Sequence, residues 1–153
     1  MQTTICETPI GNLVVEGDEL GVSLIIFSDD SELRETKECP KFLEASKRQL
    51  KEYFTGERKT FDLKLNPKGT HFQHNVWSAL QTIPFGKTKS YQQMANQLGK
   101  PKVIRAAAFA NGKNPISIII PCHSAIGSDG SLTGYAGGLH RKKWLLEFES
   151  PAQ

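Results

Sequence analysis

Cys122 and His123 are the residues of this chain whose types and adjacency could do covalent chemistry. A thiol attacks carbon as its thiolate, and a neighbouring imidazole that takes the proton, directly or through one water, supplies that species. A buried cysteine is ordinarily an inert small hydrophobe. Cys122 stands apart because it follows the rigid Pro121 at the end of the apolar run Ile116–Ile120, with Gly-, Ser- and Asn-containing loops on both sides. Adjacent residues of an extended chain point to opposite faces, so Cys122 and His123 need a turn or a bridging water to cooperate. His123 also needs a third group to hold its tautomer, and Glu147 and Glu149 are among the few carboxylates in this half of the chain.

These residues must be positioned by a scaffold, and the sequence divides into two parts. Residues 3–27 read as short strands, TTICE, NLVVE and GVSLIIF, separated by turn residues, which favours a hairpin or meander. From Pro40 to about Thr55, Leu43, Leu50 and Phe54 recur at helical spacing before the stop at Gly56. Phe61 to Leu65 alternates as a further strand, and Asn66-Pro67-Lys68-Gly69 is a linker-like break. The fold class expected is α/β, with a small N-terminal α/β domain of antiparallel strands over residues 1–66 and a mostly helical domain over 67–153.

In the second part Thr70 is placed to cap a helix carrying Phe72, Val76, Leu80 and Ile83, which ends at Pro84-Phe85-Gly86. Ser90 caps another helix through Leu98, closed by Gly99. Pro101 opens the next, running to about Ala110. Two short helices joined by a tight glycine turn make a helix-turn-helix, and small Ala95 allows close approach between them. Ile116–Ile120 reads as a short buried strand that delivers Cys122, and a last helix from about Leu139 to Glu149 presents Trp144, Leu145 and Phe148 for packing.

Charge separates the two parts. Residues 1–65 hold nine Lys/Arg against thirteen Asp/Glu, a net of −4, whereas residues 66–153 hold ten against three, a net of +7. The second part is the one suited to a polyanion such as nucleic acid. Three cysteines with no C-x-x-C pair suggest neither a disulfide framework nor a zinc knuckle, and Cys6, Cys39, His71 and His74 do not form a convincing ligand set. No metal is expected. No apolar run approaches the roughly 20 residues needed to span a bilayer, and the N-terminus has no apolar leader. The expectation is a cytoplasmic protein without membrane association.

The segment IIIPCHSAIGSDGSLTGYAGGLHRKKWLLEFE closely resembles the active-site region of O6-alkylguanine-DNA alkyltransferases, the methylated-DNA–protein-cysteine methyltransferases. GKTKSYQQMANQLGKPKVIRAAAFANGKNPI resembles that family's helix-turn-helix and asparagine hinge, so the specific resemblance covers about residues 69–149. It implies a ribonuclease H-like N-terminal domain and a C-terminal domain that binds DNA and accepts the alkyl group. The implied activity is direct-reversal repair. The alkyl group of O6-alkylguanine, and of O4-alkylthymine, moves irreversibly to Cys122 after minor-groove binding and nucleotide flipping, and each molecule acts once.

The resemblance also implies roles. Cys122 is the acceptor, His123 the base acting through a water, and Glu149 the carboxylate that orients the imidazole. Asn114 braces the helix-turn-helix against the cysteine loop. Tyr91 helps rotate the phosphate backbone and protonate the departing guanine. Arg105 enters the base stack, where a planar cation suits the gap left by the flipped nucleotide. Ala106 and Gln92 join Tyr91 and Arg105 at the DNA surface. Tyr135, Ala136 and Ala125 belong to the alkylguanine pocket, with the carbonyls of Cys122 and Ala125 reading the base. The short side chains of Ala106, Ala107 and Ala108 suit a narrow groove and read little sequence. No cofactor is implied, the partner is double-stranded DNA carrying an alkylated guanine, and the protein acts as a monomer.

Ser124 departs from the arginine that usually follows Cys-His in this family. Val103 and Ile104 stand where smaller residues are common, and Ala136 where some relatives carry serine. A Cys-His hydrolase would also use Cys122 and His123 but would turn over and ignore DNA. A non-catalytic relative that only binds lesions would lack the acceptor cysteine. A transcription regulator would need a dimer or sequence-reading side chains.

Overall fold

The computed structural model describes residues 2–150, which form two compact units, one of residues 1–68 with 115–117 and one of 69–114 with 118–153. In the first, β1 (Gln2–Thr8), β2 (Gly11–Asp18) and β3 (Gly21–Ser28) make an antiparallel meander in that order. Alternation along β2 turns Leu13 and Val15 into the core, as a sheet with one covered face requires. Helix α1 (Glu44–Phe54) packs against β1.

The sequence pattern predicts this helix with one exception on its buried face. Leu43 and Leu50 are fully buried, but Tyr53 is buried in place of the half-exposed Phe54. Buried positions 43, 46, 50 and 53 step by three and four residues, which leaves Phe54 at the edge of the stripe. The first turn, Lys41–Leu43, is a 3-10 turn following Pro40.

The strand expected over residues 61–65 is reduced to one parallel bridge, Val22 to Leu65. Competition for the backbone explains the difference. The Gln49 amide donates to the Asp62 carbonyl at 3.1 Å and its oxygen accepts from the Asp62 N–H at 2.9 Å, so a side chain holds groups that a strand would give to its neighbour. Residues 115–117 also pair with β3: Ile25 N–H donates to the Pro115 carbonyl and Ser117 N–H to the Ile25 carbonyl, both at 2.8 Å.

The second unit begins with α2 (His71–Leu80), whose Thr70 cap forms a reciprocal pair with Gln73. Val76, Trp77, Ala79 and Leu80 are buried, with Ile83 just beyond the helix, and Trp77 Nε1 donates to the Ala110 carbonyl at 3.0 Å. Strand β4 (Lys89–Ser90) leads directly into α3 (Tyr91–Gln97), capped by Ser90 with Gln93 in the same reciprocal arrangement. Gly99 ends α3 at φ 76°, with its N–H on the Asn96 carbonyl and the Lys100 N–H on the Ala95 carbonyl. This left-handed closure favours glycine.

After a 3-10 turn at Pro101–Val103, α4 (Ile104–Gly112) packs against α3 and α2. The helix begins three residues later than expected from Pro101 and runs two beyond Ala110. Strand β5 (Ala125–Ile126) pairs in parallel with β4, and α5 (Leu139–Glu149) closes the unit. Leu145 is buried, while Trp144 and Phe148 are half-buried and stack on one another at 4.9 Å. No helix among the described residues is long and apolar enough to cross a membrane.

The run Ile116–Ile120 is not the strand its composition predicts. Only Ile116 pairs, with Ile25, and residues 117–119 turn, placing Ile118 at φ 74°. The Asn114 amide closes this loop by donating to the Ile120 carbonyl at 2.8 Å.

Candidate active site

The turn at the reactive pair is supplied by a 3-10 segment, Cys122–Ser124, between Pro121 and β5. It prevents Cys122 and His123 from splaying as neighbours on a strand would. Both side chains are buried, the thiol residue at 4% exposure and the imidazole at 0%. His123 Nε2 lies 2.8 Å from Glu149 Oε2, and Glu149 Oε1 accepts from the Gly86 N–H at 3.2 Å. The fold chooses Glu149 over Glu147 because residue 149 falls on the buried face of α5 and residue 147 on the exposed one. His123 Nδ1 is buried and has no hydrogen-bond partner among the described residues.

Burial pushes the Cys122 thiol up to about 11, while the hydrogen bond from Asn114 and the charge of Lys142 pull the other way. The chemistry expected of a thiolate therefore starts from a protonated thiol in the free protein. Desolvation disfavours the charged form more than its two polar neighbours support it.

A second cluster lies within reach of the sulfur's charge. Lys142 on α5 is fully buried, and its ammonium donates to the Ala125 carbonyl at 2.5 Å and the Thr133 carbonyl at 2.7 Å. It also stands 3.5 Å from the Tyr91 hydroxyl, which itself donates to the Thr133 carbonyl at 3.0 Å. Burial pulls the Lys142 ammonium down to about 8 and pushes the Tyr91 phenol above its ordinary value. Gly134, at φ 68°, leaves room at this point, since a Cβ there would come within 3.2 Å of the Tyr91 hydroxyl. The cluster joins α3, β5, α5 and the 133–134 loop around one cation.

The expected site residues fall into three groups. Cys122, His123, Glu149 and Asn114 are brought together around the sulfur. Tyr91 and Ala125 meet at Lys142, and the Ala125 carbonyl is already engaged by that ammonium. Asn111 Nδ2 approaches the Cys122 carbonyl at 3.4 Å. Tyr135 is buried and Ala136 exposed, and both line an open concavity of about 530 Å3 with residues of α4 and the start of α5. On α4, Arg105 and Ala106 are exposed, Ala107 is buried in the core and Ala108 is intermediate, so the three alanines do not share one face. Gln92 braces the α3–α4 turn, donating to Asn96 Oδ1 at 3.1 Å and the Pro101 carbonyl at 3.2 Å.

Sequence reasoning missed Lys142 and Asn111. A signal for the lysine exists: it lies three residues before the apolar Leu145 and seven before Glu149, on the stripe α5 buries. Two adjacent lysines on a terminal helix otherwise read as solvated charge.

The family model described as "6-O-methylguanine DNA methyltransferase, DNA binding domain" matches residues 71–151. The corresponding ribonuclease-like domain matches residues 1–67. The chain belongs to the 6-O-methylguanine DNA methyltransferase family. A relative from Methanosarcina acetivorans, named methylated-DNA–protein-cysteine methyltransferase, is 46% identical over 97% of this chain and 98% of its own. The constitutive protein of that name from Bacillus subtilis is 44% identical over 95% and 93%. The crystal structure of Mycobacterium tuberculosis OGT in complex with DNA superposes with a TM-score of 0.88 at 40% identity, covering 99% of this chain and 96% of that one.

Proposed function

We propose that this protein repairs DNA by direct reversal, transferring the alkyl group of O6-alkylguanine, and of O4-alkylthymine, irreversibly to Cys122. The observation that carries the reading is the buried arrangement of Cys122, His123 and Glu149, with 2.8 Å between imidazole and carboxylate, in a member of this family. The M. tuberculosis relative crystallised with DNA supports a DNA partner.

Glu149 accepts the Nε2–H of a neutral His123, which leaves the Nδ1 lone pair as the base. That nitrogen takes the Cys122 proton through one water. A thiol near 11 is ionised in roughly one molecule in ten thousand at neutral pH, so proton removal accompanies attack rather than preceding it. The sulfur attacks the alkyl carbon in line, a C–S bond forms and the C–O6 bond breaks with its electron pair on the guanine. Tyr91 supplies a proton to the departing base. The thioether is a poor leaving group, so each molecule acts once, without cofactor or metal.

Residues 67–153 form the DNA-binding and acceptor domain, and residues 1–66 the ribonuclease H-like one. Helices α3 and α4 form the helix-turn-helix. Ala106 gives close approach to the minor groove, Gln92 and Tyr91 meet the backbone, and Arg105 fills the stack after the nucleotide flips. The net of +7 over residues 66–153 favours this polyanion. Asn114 holds the cysteine loop, and Tyr135, Ala136 and Ala125 line the base pocket. The protein acts as a monomer inside the cell on duplex DNA.

Incubation with a duplex containing O6-methylguanine, followed by intact and peptide mass measurement, tests the proposal. One methyl per protein on the Cys122 peptide, with stoichiometric loss of the lesion and no reaction by Cys122→Ala, is expected. Multiple turnovers, or a methyl on another residue, would overturn it.

A further inference from the structure

The helical unit exposes two large apolar side chains that its core does not use. Phe109 on α4 is 67% exposed and Leu139 at the start of α5 is 51% exposed. Both line the open concavity of about 530 Å3 that also contains Tyr135 and Ala136. The other large apolar side chains exposed among the described residues, Leu20, Ile26 and Phe42, all lie in the first unit. Thus every exposed large hydrophobe of the helical unit faces one recess, where scattered positions would need no explanation.

The recess adjoins the cluster near the sulfur. Thr133 and Gly134 belong to its lining, the Tyr91 hydroxyl donates to the Thr133 carbonyl, and the charges of Tyr91 and Cys122 are coupled. The Lys113 ammonium stands 5.2 Å from the Phe109 ring centre, a cation–π contact that favours one ring orientation. An oriented aromatic face, a leucine and the uncrowded Gly134 and Ala136 suit a flat apolar group.

We propose that Phe109 and Leu139 are specificity-determining residues, forming an apolar rim that favours lesions whose O6 substituent is large and apolar, aralkyl groups of the benzyl type above all. This rests on the repair reading of Cys122 and names a substrate class for it. Moving such a substituent from water onto the rim gains apolar burial and ring-on-ring contact, whereas a methyl group has too little surface to benefit. The transfer step is unchanged: the benzylic carbon passes from O6 to sulfur and the guanine leaves with the bond pair and a proton.

The test compares S-alkylation rates of Cys122 by mass spectrometry for wild type, Phe109→Ala and Leu139→Ala. The substrates are duplexes carrying O6-methylguanine or O6-benzylguanine, and free O6-benzylguanine base. Alanine suits both exposed helical positions, so the variants should fold. The benzyl-to-methyl rate ratio is expected to fall about tenfold in each variant, and the free-base rate to fall with it. An unchanged ratio overturns the proposal. So does a parallel loss for both duplexes with weaker binding of undamaged DNA and an unaffected free-base rate, which would make Phe109 a DNA contact. Failure of wild type to alkylate Cys122 with any of the three would sink the repair reading itself and the rim with it.

Discussion

Nε2 of His123 and Oε2 of Glu149 lie 2.8 Å apart with the imidazole wholly out of solvent. The carboxylate is itself held by the Gly86 N–H on its other oxygen, so the ring cannot rotate without breaking two buried contacts. Glu149→Gln keeps the shape but removes the charge that would stabilise an imidazolium. Alkyl transfer to Cys122 is expected to slow about 10- to 100-fold, the lower range of general-base contributions, with a far smaller change in DNA affinity. Rates within twofold of wild type would remove Glu149 from the mechanism.

Cys122 titrates in the opposite direction to an activated thiol. With its native value raised from 9.0 to about 11, iodoacetamide labelling of Cys122 in the folded protein should be slow at neutral pH and rise through about pH 11. The same shift makes a stability statement. The unfolded thiol ionises first, so the stabilising contribution is complete below about pH 9 and is lost as pH rises through about 11, of order 2–3 kcal/mol in all. Denaturant melts of wild type against Cys122→Ala across that window would show it, and parallel curves would contradict it.

Lys142 couples the other way, because burial lowers its value from 10.5 to about 8. Below about pH 8 both folded and unfolded forms carry the proton and the native state bears the full cost of the buried charge. Between about pH 8 and 10.5 the unfolded chain holds more protons, so stability gains with rising pH. In a Cys122→Ala background, the protein should gain stability over this range relative to the same background with Lys142→Met. Lys142→Met also leaves the Ala125 and Thr133 carbonyls without their donor, at about 1–3 kcal/mol for each buried group left unpaired, less whatever removing the charge returns. A pH-independent difference would show that the lysine is solvated.

Ile118 sits at φ 74°, where a β-branched residue is strained by about 1–2 kcal/mol. At an ordinary buried position glycine is worse than alanine. Here Ile118→Gly should equal or exceed Ile118→Ala in urea denaturation, while the order is reversed at Ile120, which is equally buried without positive φ. Alanine outperforming glycine at both positions would count against strain at Ile118.

Arg105 is exposed on α4 four residues before Phe109. Replacing it with alanine should reduce repair of a duplex lesion by at least about tenfold while leaving reaction with a free O6-alkylguanine base within about twofold, since only the duplex has a stack to fill. Equal losses on both substrates would refute the finger assignment.

Local chemistry made much of this protein legible from its residues. The meander, the caps at Thr70 and Ser90, the glycine closure at Gly99 and the last helix follow from spacing and turn residues that act over a few positions. The Cys122-His123 pair and its carboxylate were legible for the same reason, once the surrounding motif narrowed Glu147 and Glu149 to one. What the tertiary structure alone decided involves groups far apart in sequence. The Gln49 and Asn114 amides take backbone partners that two expected strands would have used. Folding also buries Lys142 beside Tyr91, 51 residues away, and surrounds the Cys122 sulfur so closely that desolvation outweighs its polar neighbours. Periodicity records which face of an element is apolar, whereas hydrogen-bond competition and desolvation depend on what the folded chain brings next to it.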